Sequence, residues 1–407
     1  MYIPISITTK RYRAGILLLL LLLPLAAQAG GGGTGKQNPV VKGALWVKTL
    51  IDSMAVKGID RSYISQPKRP WAAELRTEAS ETVLKMHADF PLNSGNQATM
   101  TVTTRNGFST LAGAWVGYRG YGFGLSKNLS GNGGTLSFGA MGGSFGINFR
   151  INTYSSSTPD LRLSYSSRNY NFDEHNIEDL DAPISVRSLF LDGYYMFNGK
   201  RFSYAAAYDQ SLIQRRSAGS LMAGAMYYHS SAKYDDDANY ALVAMMKGVG
   251  KLKFTQASIG AGYAYNWVPA RGWLVNAMLM PMLQFYNSIS AYTYRFYSDG
   301  FDATDILFTN YDRILEEVLN GLSDGADDSG GADDSGDEVN IELREGGVET
   351  THNYIGFNFD ARLAVVYNWS DWYLRVYGHY NRFRYSNDIG YGHTDEWRVY
   401  ASLGFRF

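Results

Sequence analysis

Apolar and polar side chains alternate along most of the chain from about residue 80 to residue 407. In GFNFDARLAVVYNW, positions 356–369, apolar side chains occupy every second position from Phe357 to Trp369, and the positions between them include Asp360 and Arg362. Successive side chains of a strand point to opposite faces, so this spacing predicts a strand with one apolar and one polar face. The same arrangement recurs at 145–152, 273–285 and 397–407.

Three features of these segments favour a transmembrane barrel over a soluble sandwich, which would also show alternation. The apolar faces of 273–285, 356–369 and 397–407 contain six or seven positions, which suits the ~10-residue strands that cross a bilayer at a tilt. Tyr and Trp stand at the ends of the segments, and the opposite faces carry arginines and acids, as a wet lumen requires. The pattern therefore predicts an all-β fold, a transmembrane antiparallel β-barrel of about 14 strands (range about 12–16) with a short helix in one long loop.

One hairpin allows its register to be predicted. A tight turn at 370–371 sets Val365 opposite Val376 on the apolar face and Arg362 opposite His379 on the polar face. A slip by one residue would turn Arg362 toward lipid, which costs about 2–4 kcal/mol near the midplane. The register of this hairpin is therefore expected to be fixed.

The first 29 residues contain the parts of a secretory signal peptide in their usual order. Basic residues at 10–13 precede the apolar run AGILLLLLLLPLAA, and Ala27 and Ala29 flank a cleavage point before Gly30. A membrane-anchoring helix is the alternative, but the run is shorter than the ~20 residues that a span needs. We therefore expect a signal peptide (1–29), a periplasmic N-terminal segment (30–80) and a barrel (81–407) in the outer membrane of a Gram-negative cell.

Composition limits the chemistry that the chain can carry. It contains no cysteine, which excludes a disulfide framework, a thiolate metal site and a catalytic thiol. Only 18% of the residues are charged and the net charge is −1, whereas nucleic-acid-binding proteins normally show a basic surplus. We expect no nucleic-acid partner and no cofactor, and we expect outer-membrane lipid and lipopolysaccharide as the surroundings.

Residues 302–350 interrupt the alternation. This segment begins with apolar residues at helical spacing, then repeats GADDSG, and contains 15 acidic residues against two arginines. Counting strands back from residue 407 puts it on the cell exterior. The simpler interpretation is a solvated acidic loop, since the ligand spacing of an EF-hand is absent. The alternative is weak divalent-cation binding that bridges the loop to lipopolysaccharide or a surface partner, with the candidate ligands Asp327, Asp328, Asp333 and Asp334.

Nine ionisable side chains are predicted to point into the lumen, because each falls on the polar side of its segment. They are Arg150, Asp192, Asp209, Asp360, Arg362, Arg375, His379, Arg398 and Arg406. Asp360, Arg362, Arg375 and Arg398 come from the last three strands, so these four could form one ion network. Two interpretations stay open: internal ion pairs that stabilise a narrow barrel, because unpaired buried charge is costly, or a basic constriction that selects anions in a pore.

The histidines lack the neighbours that catalysis would need. None of the six lies near serine, asparagine and glycine at the spacing of a barrel phospholipase, and His229-Ser230 has no supporting acid nearby. The acids of DDDANY, 235–240, are consecutive and do not form the separated pairs of a barrel protease. We therefore expect that the protein is not an enzyme.

The last segment, YASLGFRF, has Leu403, Phe405 and Phe407 on one face. We expect this strand to close the barrel against the first strand, which leaves no bare backbone edge in lipid. Aromatic residues occupy the last position and the third from last. This pattern resembles the C-terminal signal that the bacterial barrel-insertion machinery recognises. That machinery is therefore an expected partner.

Residues 194–231 carry a further pattern, and its elements are Tyr195, Phe197, Asn198, Arg201 to Tyr204, Gln214, Arg215, Arg216 and Ser217 to Ser220, with Gly219 among them. The pattern resembles the uncharacterised family recorded as domain of unknown function 4421, whose members come mostly from Bacteroidetes-type Gram-negative bacteria. The resemblance covers residues 60 to 407 with the acidic insert as an extra, and it implies an outer-membrane barrel but no activity. QRRSAGS (214–220) is either a functional lumen motif or a tight basic turn, and the turn is the simpler interpretation.

Two functions remain open at this stage. The first is a small channel or transport-related barrel. The second is a non-conducting structural or surface-interaction barrel that binds an extracellular partner or lipopolysaccharide through its acidic loop.

Overall fold

The computed structural model describes residues 58–407 apart from 92–96, 130, 158–159, 167–170, 178–179, 181, 247, 299, 306–340, 354 and 387–389. The predicted signal peptide, most of the predicted periplasmic segment and the candidate cation ligands Asp327, Asp328, Asp333 and Asp334 lie outside the described residues. The chain divides into two compact units, Met1–Gly58 and Ile59–Phe407, and every element below belongs to the second. In the described part of the chain, no helix has the length and apolar character needed to span a membrane.

Strands dominate the described residues. In chain order they are β1 (Ile64–Ser65), β2 (Trp71–Pro91), β3 (Gln97–Tyr118), β4 (Tyr121–Asn128), β5 (Gly133–Met141), β6 (Phe145–Ser156), β7 (Asp160–Ser166), β8 (Asn171–Ile177), β9 (Ile184–Met196), β10 (Ile213–Gln214), β11 (Ala218–Lys233), β12 (Val249–Trp267), β13 (Trp273–Ser298), β14 (Phe301–Asp302), β15 (Ile341–Asn353), β16 (Gly356–Trp369), β17 (Trp372–Ser386) and β18 (Gly390–Arg406). Two short helices, α1 (Ala205–Tyr208) and α2 (Tyr240–Met245), and a 3₁₀ turn at Asp237–Asn239 lie between them.

Twelve of these strands close into an antiparallel ring. Their order is β2, β18, β17, β16, β13, β12, β11, β9, β6, β5, β4 and β3, and β3 pairs with β2 to complete the ring. The last strand pairs with the first from Arg406↔Ala72 to Gly390↔Ala88. The structure thus confirms the predicted antiparallel barrel, and the strand number falls within the predicted range. Outside the ring, β7 and β8 extend from β3, and β14 and β15 pair with β13.

The two ends of the ring differ. At one end, here called the turn end, the connections are 119–120, 142–144, 197–217, 268–272 and 370–371. At the other end, here called the loop end, the connections contain β7, β8, α2, β14 and β15. The hairpin at 370–371 has the predicted register, with Arg362 opposite His379 and Val365 opposite Val376.

Two predicted boundaries were wrong. The barrel begins at Trp71 and not at residue 81, because WAAELRTEAS, 71–80, alternates small apolar residues with ionisable ones and gives little hydrophobic contrast. The acidic insert was predicted to extend to residue 350, but β15 starts at Ile341 and pairs along β13. Polar residues and glycines make up most of β15, whose side chains are mostly exposed, so it lacks the apolar face from which strands are predicted.

The outer wall of the ring carries an apolar band. Leu279, Leu363 and Leu403 are between 43% and 59% exposed. Aromatic residues border the band at the turn end, where the Trp372 and Phe405 rings lie 4.8 Å apart and the Phe405 and Phe407 rings 6.5 Å apart. An apolar belt with an aromatic rim is the surface that a bilayer requires.

Candidate functional site in the lumen

The structure puts the nine predicted lumen residues inside the barrel. Eight are buried, namely Arg150, Asp192, Asp209, Asp360, Arg375, His379, Arg398 and Arg406, and the side chain of Arg362 is 8% exposed. One assignment was wrong in its element: Asp209 follows α1 in the connection from β9 to β11 and is not part of a barrel strand. Local alternation in AAAYDQS imitated a strand there.

The acidic partners of the arginines were missed. Glu74 and Glu78 lie on β2, before the predicted start of the barrel, and Glu396 lies on β18 two residues from Arg398. All three carboxylates are buried. The alternation that identified Arg398 also pointed to Glu396, so that residue was predictable from the sequence.

The first ion cluster joins opposite walls of the barrel. Arg362 on β16 contacts Asp360 on its own strand, Nε to Oδ1 at 3.1 Å, and Asp192 on β9, Nη2 to Oδ2 at 3.2 Å. Tyr204 accepts a hydrogen bond from Arg362 Nη1, and Tyr194 donates one to Oδ2 of Asp360. The guanidinium is therefore paired on both sides of the lumen.

A second cluster is built around Glu396. Arg398 Nε donates to Oε1 of Glu396 at 2.6 Å, and Arg150 on β6 reaches the same carboxylate from across the ring at 3.1 Å. Arg398 also pairs with Glu78 on β2. Two arginines thus share two carboxylates, which satisfies the rule that buried charges are paired.

The third cluster uses Glu74. Its Oε2 accepts from Arg375 Nη2 at 2.7 Å and from Arg76 Nη2 at 3.3 Å, and its Oε1 accepts from Tyr373 at 2.8 Å. The expected single network of the last three strands is therefore wrong. The arginines belong to three clusters, and each cluster needs an acid from β2, β9 or β18. This pairing favours the structural interpretation over a basic constriction.

A segment of the turn end folds into the lumen. We call Phe202–Gln214 the inner segment; all its residues except Ser211 and Ile213 are buried. Its helix, α1, consists of three alanines and Tyr208, and such small side chains let a helical turn fit between the walls. Tyr208 donates to Oδ1 of Asn276 at 2.5 Å, and Asn266 donates to the carbonyl of Ser203 at 2.9 Å.

Gln214 holds the inner segment in place. Its Oε1 accepts from the Ser203 amide at 2.9 Å and from Asn266 at 3.0 Å. Its Nε2 donates to the carbonyls of Arg201 at 2.6 Å and Arg216 at 2.9 Å. The side-chain amide therefore uses both its acceptor and its donors. The backbone of Gln214 lies in β10, which pairs with β1.

The remaining motif residues attach this segment to the wall. Asn198 donates to the carbonyl of Gly219 at 2.8 Å, and Ser217 accepts from the Val268 amide at 2.9 Å. Arg215 and Arg216 are exposed. QRRSAGS thus includes a short basic connection from β10 to β11, and its Gln214 also anchors a segment inside the barrel.

Apolar side chains fill the lumen toward the loop end. The rings of Tyr228 and Phe383, from opposite walls, stack with centroids 4.2 Å apart, and Phe190 packs on Phe383 at 6.2 Å. Beyond them, Leu242 and Val243 of α2 enter a buried apolar cluster. The lumen is thus obstructed at the loop end as well as at the turn end.

A polar cavity lies in the lumen beside the ion clusters. It has a volume of about 80 Å³, and its lining includes Arg150, Asp192, Asp209, Arg362 and Arg375. A space of this size takes a few water molecules. Among the described residues, no group of three or more histidine and acidic side chains could hold a metal ion. That the protein is not an enzyme remains a prediction.

The family assignment follows from the sequence of the whole barrel. The profile described as "Domain of unknown function (DUF4421)" matches residues 59–407, which include every strand of the structure and the inner segment. The chain belongs to this family. No curated protein sequence matches the chain. The DUF4421 region begins where the described fold begins, and the resemblance seen in the QRRSAGS motif is thereby confirmed.

Several solved outer-membrane proteins resemble the chain in three dimensions. The outer membrane protease OmpT from Escherichia coli matches with a TM-score of 0.42 and 8% identity, covering 84% of this chain and 98% of that one. An outer membrane channel from Pseudomonas putida F1 matches with a TM-score of 0.30 and 11% identity, covering 85% and 98%. The outer membrane protein OprG from Pseudomonas aeruginosa matches with a TM-score of 0.24 and 10% identity, covering 84% and 98%. No functional conclusion rests on similarities of this degree.

Proposed function

We propose that this DUF4421 protein is an outer-membrane barrel whose lumen is closed at rest, so that it conducts no ions without a structural change. The observation that carries the proposal is the filling of the lumen. Arg150–Glu396 and Arg362–Asp192 pairs connect opposite walls, and the inner segment occupies the turn end. The polar cavity between the ion clusters, about 80 Å³, accommodates a few waters but no hydrated solute.

The outer wall supports a membrane location. Its apolar band would be costly in water and is favourable in lipid, and the aromatic rim lies where the band meets the turn end. In bacterial barrels short connections face the periplasm. We therefore orient the turn end toward the periplasm and the loop end toward the cell exterior.

A gated channel is the second candidate, and the attachment of the inner segment favours it. The strands on either side of the segment pair directly with each other, from Met222↔Met196 to Lys233↔Ser185. The inner segment is therefore dispensable for closing the ring, and side-chain hydrogen bonds of Gln214, Asn266 and Tyr208 hold it in the lumen. Its displacement would open the turn end at the cost of the two-residue pairing of β10 with β1, and it would leave every pair of the ring intact.

Conductance across a planar bilayer tests the closed lumen. We expect refolded wild-type protein to give no stable current steps. A variant in which a flexible Gly-Ser linker replaces residues 200–216 opens the turn end. The gated channel predicts ohmic steps from this variant, whereas a lumen that is also closed by the ion clusters and the loop-end packing predicts silence. As the matched control, Lys200→Ala changes one exposed residue of the same connection and keeps the segment, so this variant should stay silent.

The outcomes separate the two candidates. Steps from wild-type protein that has folded, as judged by circular dichroism, would contradict the closed lumen. A linker variant that folds but stays silent would contradict the gated channel and leave the ion clusters and the loop-end obstruction as the barrier. Binding of lipopolysaccharide or a surface partner by the acidic insert remains a prediction, because most of the insert lies outside the described residues.

A further inference from the structure

Arg406 differs from the other arginines inside the barrel. Five of them have a carboxylate oxygen at 3.3 Å or less, namely Arg76, Arg150, Arg362, Arg375 and Arg398. Arg406 is only 2% exposed, and it forms no ion pair with any acidic side chain of the described residues. Among these six arginines of the described residues it is the one with no carboxylate within ion-pair distance, although Glu74, Asp209 and Asp371 lie near enough to act on its charge.

Arg406 donates hydrogen bonds only to uncharged oxygens, and its nitrogen Nη1 has no acceptor. Nη2 donates to Oδ1 of Asn368 at 2.7 Å, to the Gln210 carbonyl at 3.2 Å and to Oε1 of Gln210 at 3.3 Å. Nη1 is buried and has no partner. An isolated buried charge costs several kcal/mol, and a guanidinium nitrogen without an acceptor adds to that cost.

The position of Arg406 gives an anion a way in. The residue lines a vestibule of about 1150 Å³ at the turn end. The cationic residues around this vestibule are Lys68, Arg69, Arg215 and Arg271, and its single acidic residue, Asp371, is paired with Arg69 at 3.2 Å. Three of the four surrounding cations thus have no carboxylate among the vestibule residues.

The whole turn end has the same sign of charge. Its connections and residues 58–70 carry nine cations, which are Arg61, Lys68, Arg69, Arg119, Lys200, Arg201, Arg215, Arg216 and Arg271. Their exposed acids are Asp60 and Asp371. A concave surface lined by one sign of charge concentrates counter-ions and small charged ligands.

We propose that the vestibule is a binding site for the phosphate group of a small soluble molecule, with Arg406 at its inner end. Arginine presents a planar fork of N–H donors that matches a phosphate group and binds it through two hydrogen bonds. Arg406 has an unused donor, Nη1, buried at the inner end of the vestibule, and Arg215 and Arg271 supply the surrounding charge. The site lies between the walls of the barrel mouth, so a soluble ligand fits it better than a lipid in the bilayer. The site is independent of whether the lumen conducts.

Calorimetric titration of inorganic phosphate into the full-length protein tests the site. The protein is held in a non-ionic detergent at constant ionic strength, and chloride and acetate are titrated in parallel. We expect saturable binding of one phosphate per chain and no saturable heat from chloride or acetate. The double variant Arg215→Gln/Arg271→Gln should weaken phosphate binding about 10-fold or more, since hydrogen bonds to charged groups contribute about 1.5–3 kcal/mol.

Matched variants separate a defined site from general attraction. Arg61→Gln removes an exposed cation from the same end outside the vestibule, and its affinity should stay within about twofold of the wild type. Arg406→Gln should abolish binding, and circular dichroism with gel mobility before and after heating checks that it is folded. If it does not fold, the exposed double variant decides the question by itself.

Three results would overturn the proposal. One is the absence of saturable phosphate binding to folded wild-type protein. Another is an equal loss in Arg61→Gln and in the double variant, which would indicate non-specific attraction to a basic surface. The third is competition by phosphatidylglycerol bicelles at matched phosphate concentration, which would assign the phosphate to a lipid headgroup.

Discussion

At the scale of single residues, ion pairing decides what the interior of this barrel can do. Arg150, Arg362 and Arg398 each contact at least one buried carboxylate, and two of these contacts cross from wall to wall. Removing one partner of a buried pair leaves a charge without compensation, whereas exposed pairs contribute little. The clusters should therefore matter for stability more than any charge on the surface.

The Arg150–Glu396 pair provides a direct test. Arg150→Gln should lower the free energy of unfolding by about 3–5 kcal/mol, because Glu396 then lacks one of its two arginines. Urea unfolding in lipid vesicles measures the change. Arg382→Gln is the matched control, since this arginine pairs with Asp395 at the outer wall with its side chain 34% exposed, and its effect should stay below about 1 kcal/mol.

The double variant Arg150→Gln/Glu396→Gln extends this test. If the pair acts as a unit, the double variant loses less stability than the sum of the two single variants. Strict additivity would contradict a direct interaction across the lumen.

Asp209 should make the stability depend on pH. Burial raises the pKa of its carboxyl to about 6, and the hydrogen bond from Ser211 and the charge of Arg375 offset this only in part. The folded state therefore binds more protons than the unfolded state between about pH 4 and pH 6, so stability from this group falls as pH rises through that window.

The variant Asp209→Asn removes this titration. We expect it to be more stable than the wild type by about 1–3 kcal/mol above pH 6 and equal to it near pH 4. Thermal unfolding in detergent at pH 4, 5, 6, 7 and 8, followed by circular dichroism, measures the difference. A difference that is constant across this range would mean that Asp209 does not titrate there.

At the scale of elements, the strands form the wall of the barrel, and the inner segment, which is not part of that wall, fills the lumen at the turn end. It enters between β9 and β11, which pair with each other without it. Its hydrogen bonds converge on Gln214, whose side chain contacts the backbone at Ser203, Arg201 and Arg216. The loss of this one side chain should loosen the segment and leave the ring intact.

Hydrogen exchange can detect this difference. Gln214→Ala should raise the exchange of the Phe202–Gln214 amides by at least about 10-fold, since several hydrogen bonds of about 1 kcal/mol each are lost. The amides of β16 and β17 should keep their protection. Lys200→Ala, an exposed position in the same connection, should change neither region. Equal loosening of ring and segment would mean that the two are one cooperative unit.

At the scale of the whole molecule, closure of the ring between β2 and β18 determines the fold. Seventeen consecutive pairs run from Arg406↔Ala72 to Gly390↔Ala88, so the first and last strands complete each other's backbone hydrogen bonds. In lipid an unpaired strand edge is costly because no water is present to satisfy it. The barrel is therefore stable only as a complete ring.

An engineered disulfide tests this closure and its register. The chain has no cysteine, so Thr77→Cys with Ala401→Cys places two thiols at directly opposed positions on the outer wall. Opposed positions in an antiparallel pair lie about 4.5–5.5 Å apart, within the range of a disulfide. Oxidation should cross-link most of the folded protein, as measured by gel mobility with and without reductant.

The control moves one thiol along its strand. In the variant Thr77→Cys with Leu403→Cys, the two cysteines are offset by two residues along the strand pair. Their Cα atoms then lie beyond the ~7 Å limit of a disulfide, so this variant should not cross-link. Efficient cross-linking of the offset pair would mean that the register differs from Ala401↔Thr77.

The sequence alone determined the strands, the facing of their side chains and the hairpin at 370–371. These features depend on a period of two. The side of the strand on which a residue lies follows from its position in that local alternation, and no other part of the chain is needed to assign it. Nine lumen residues followed from that period. The period of two did not identify the start of β2 around Glu74, where neighbouring residues differ little in hydrophobicity. It also assigned Asp209 to a strand, because the residues of a short buried helix alternate there by chance.

Only the tertiary structure decided which charges meet and what fills the lumen. Arg150 and Glu396 are 246 positions apart in the chain, and their contact depends on the number of strands and the diameter of the ring, which no local pattern contains. The inner segment was not predicted, because its hydrogen-bond partners, such as Asn266 and Asn276, come from other strands. Local periodicity fixes the direction of each side chain, whereas ring closure fixes its partner.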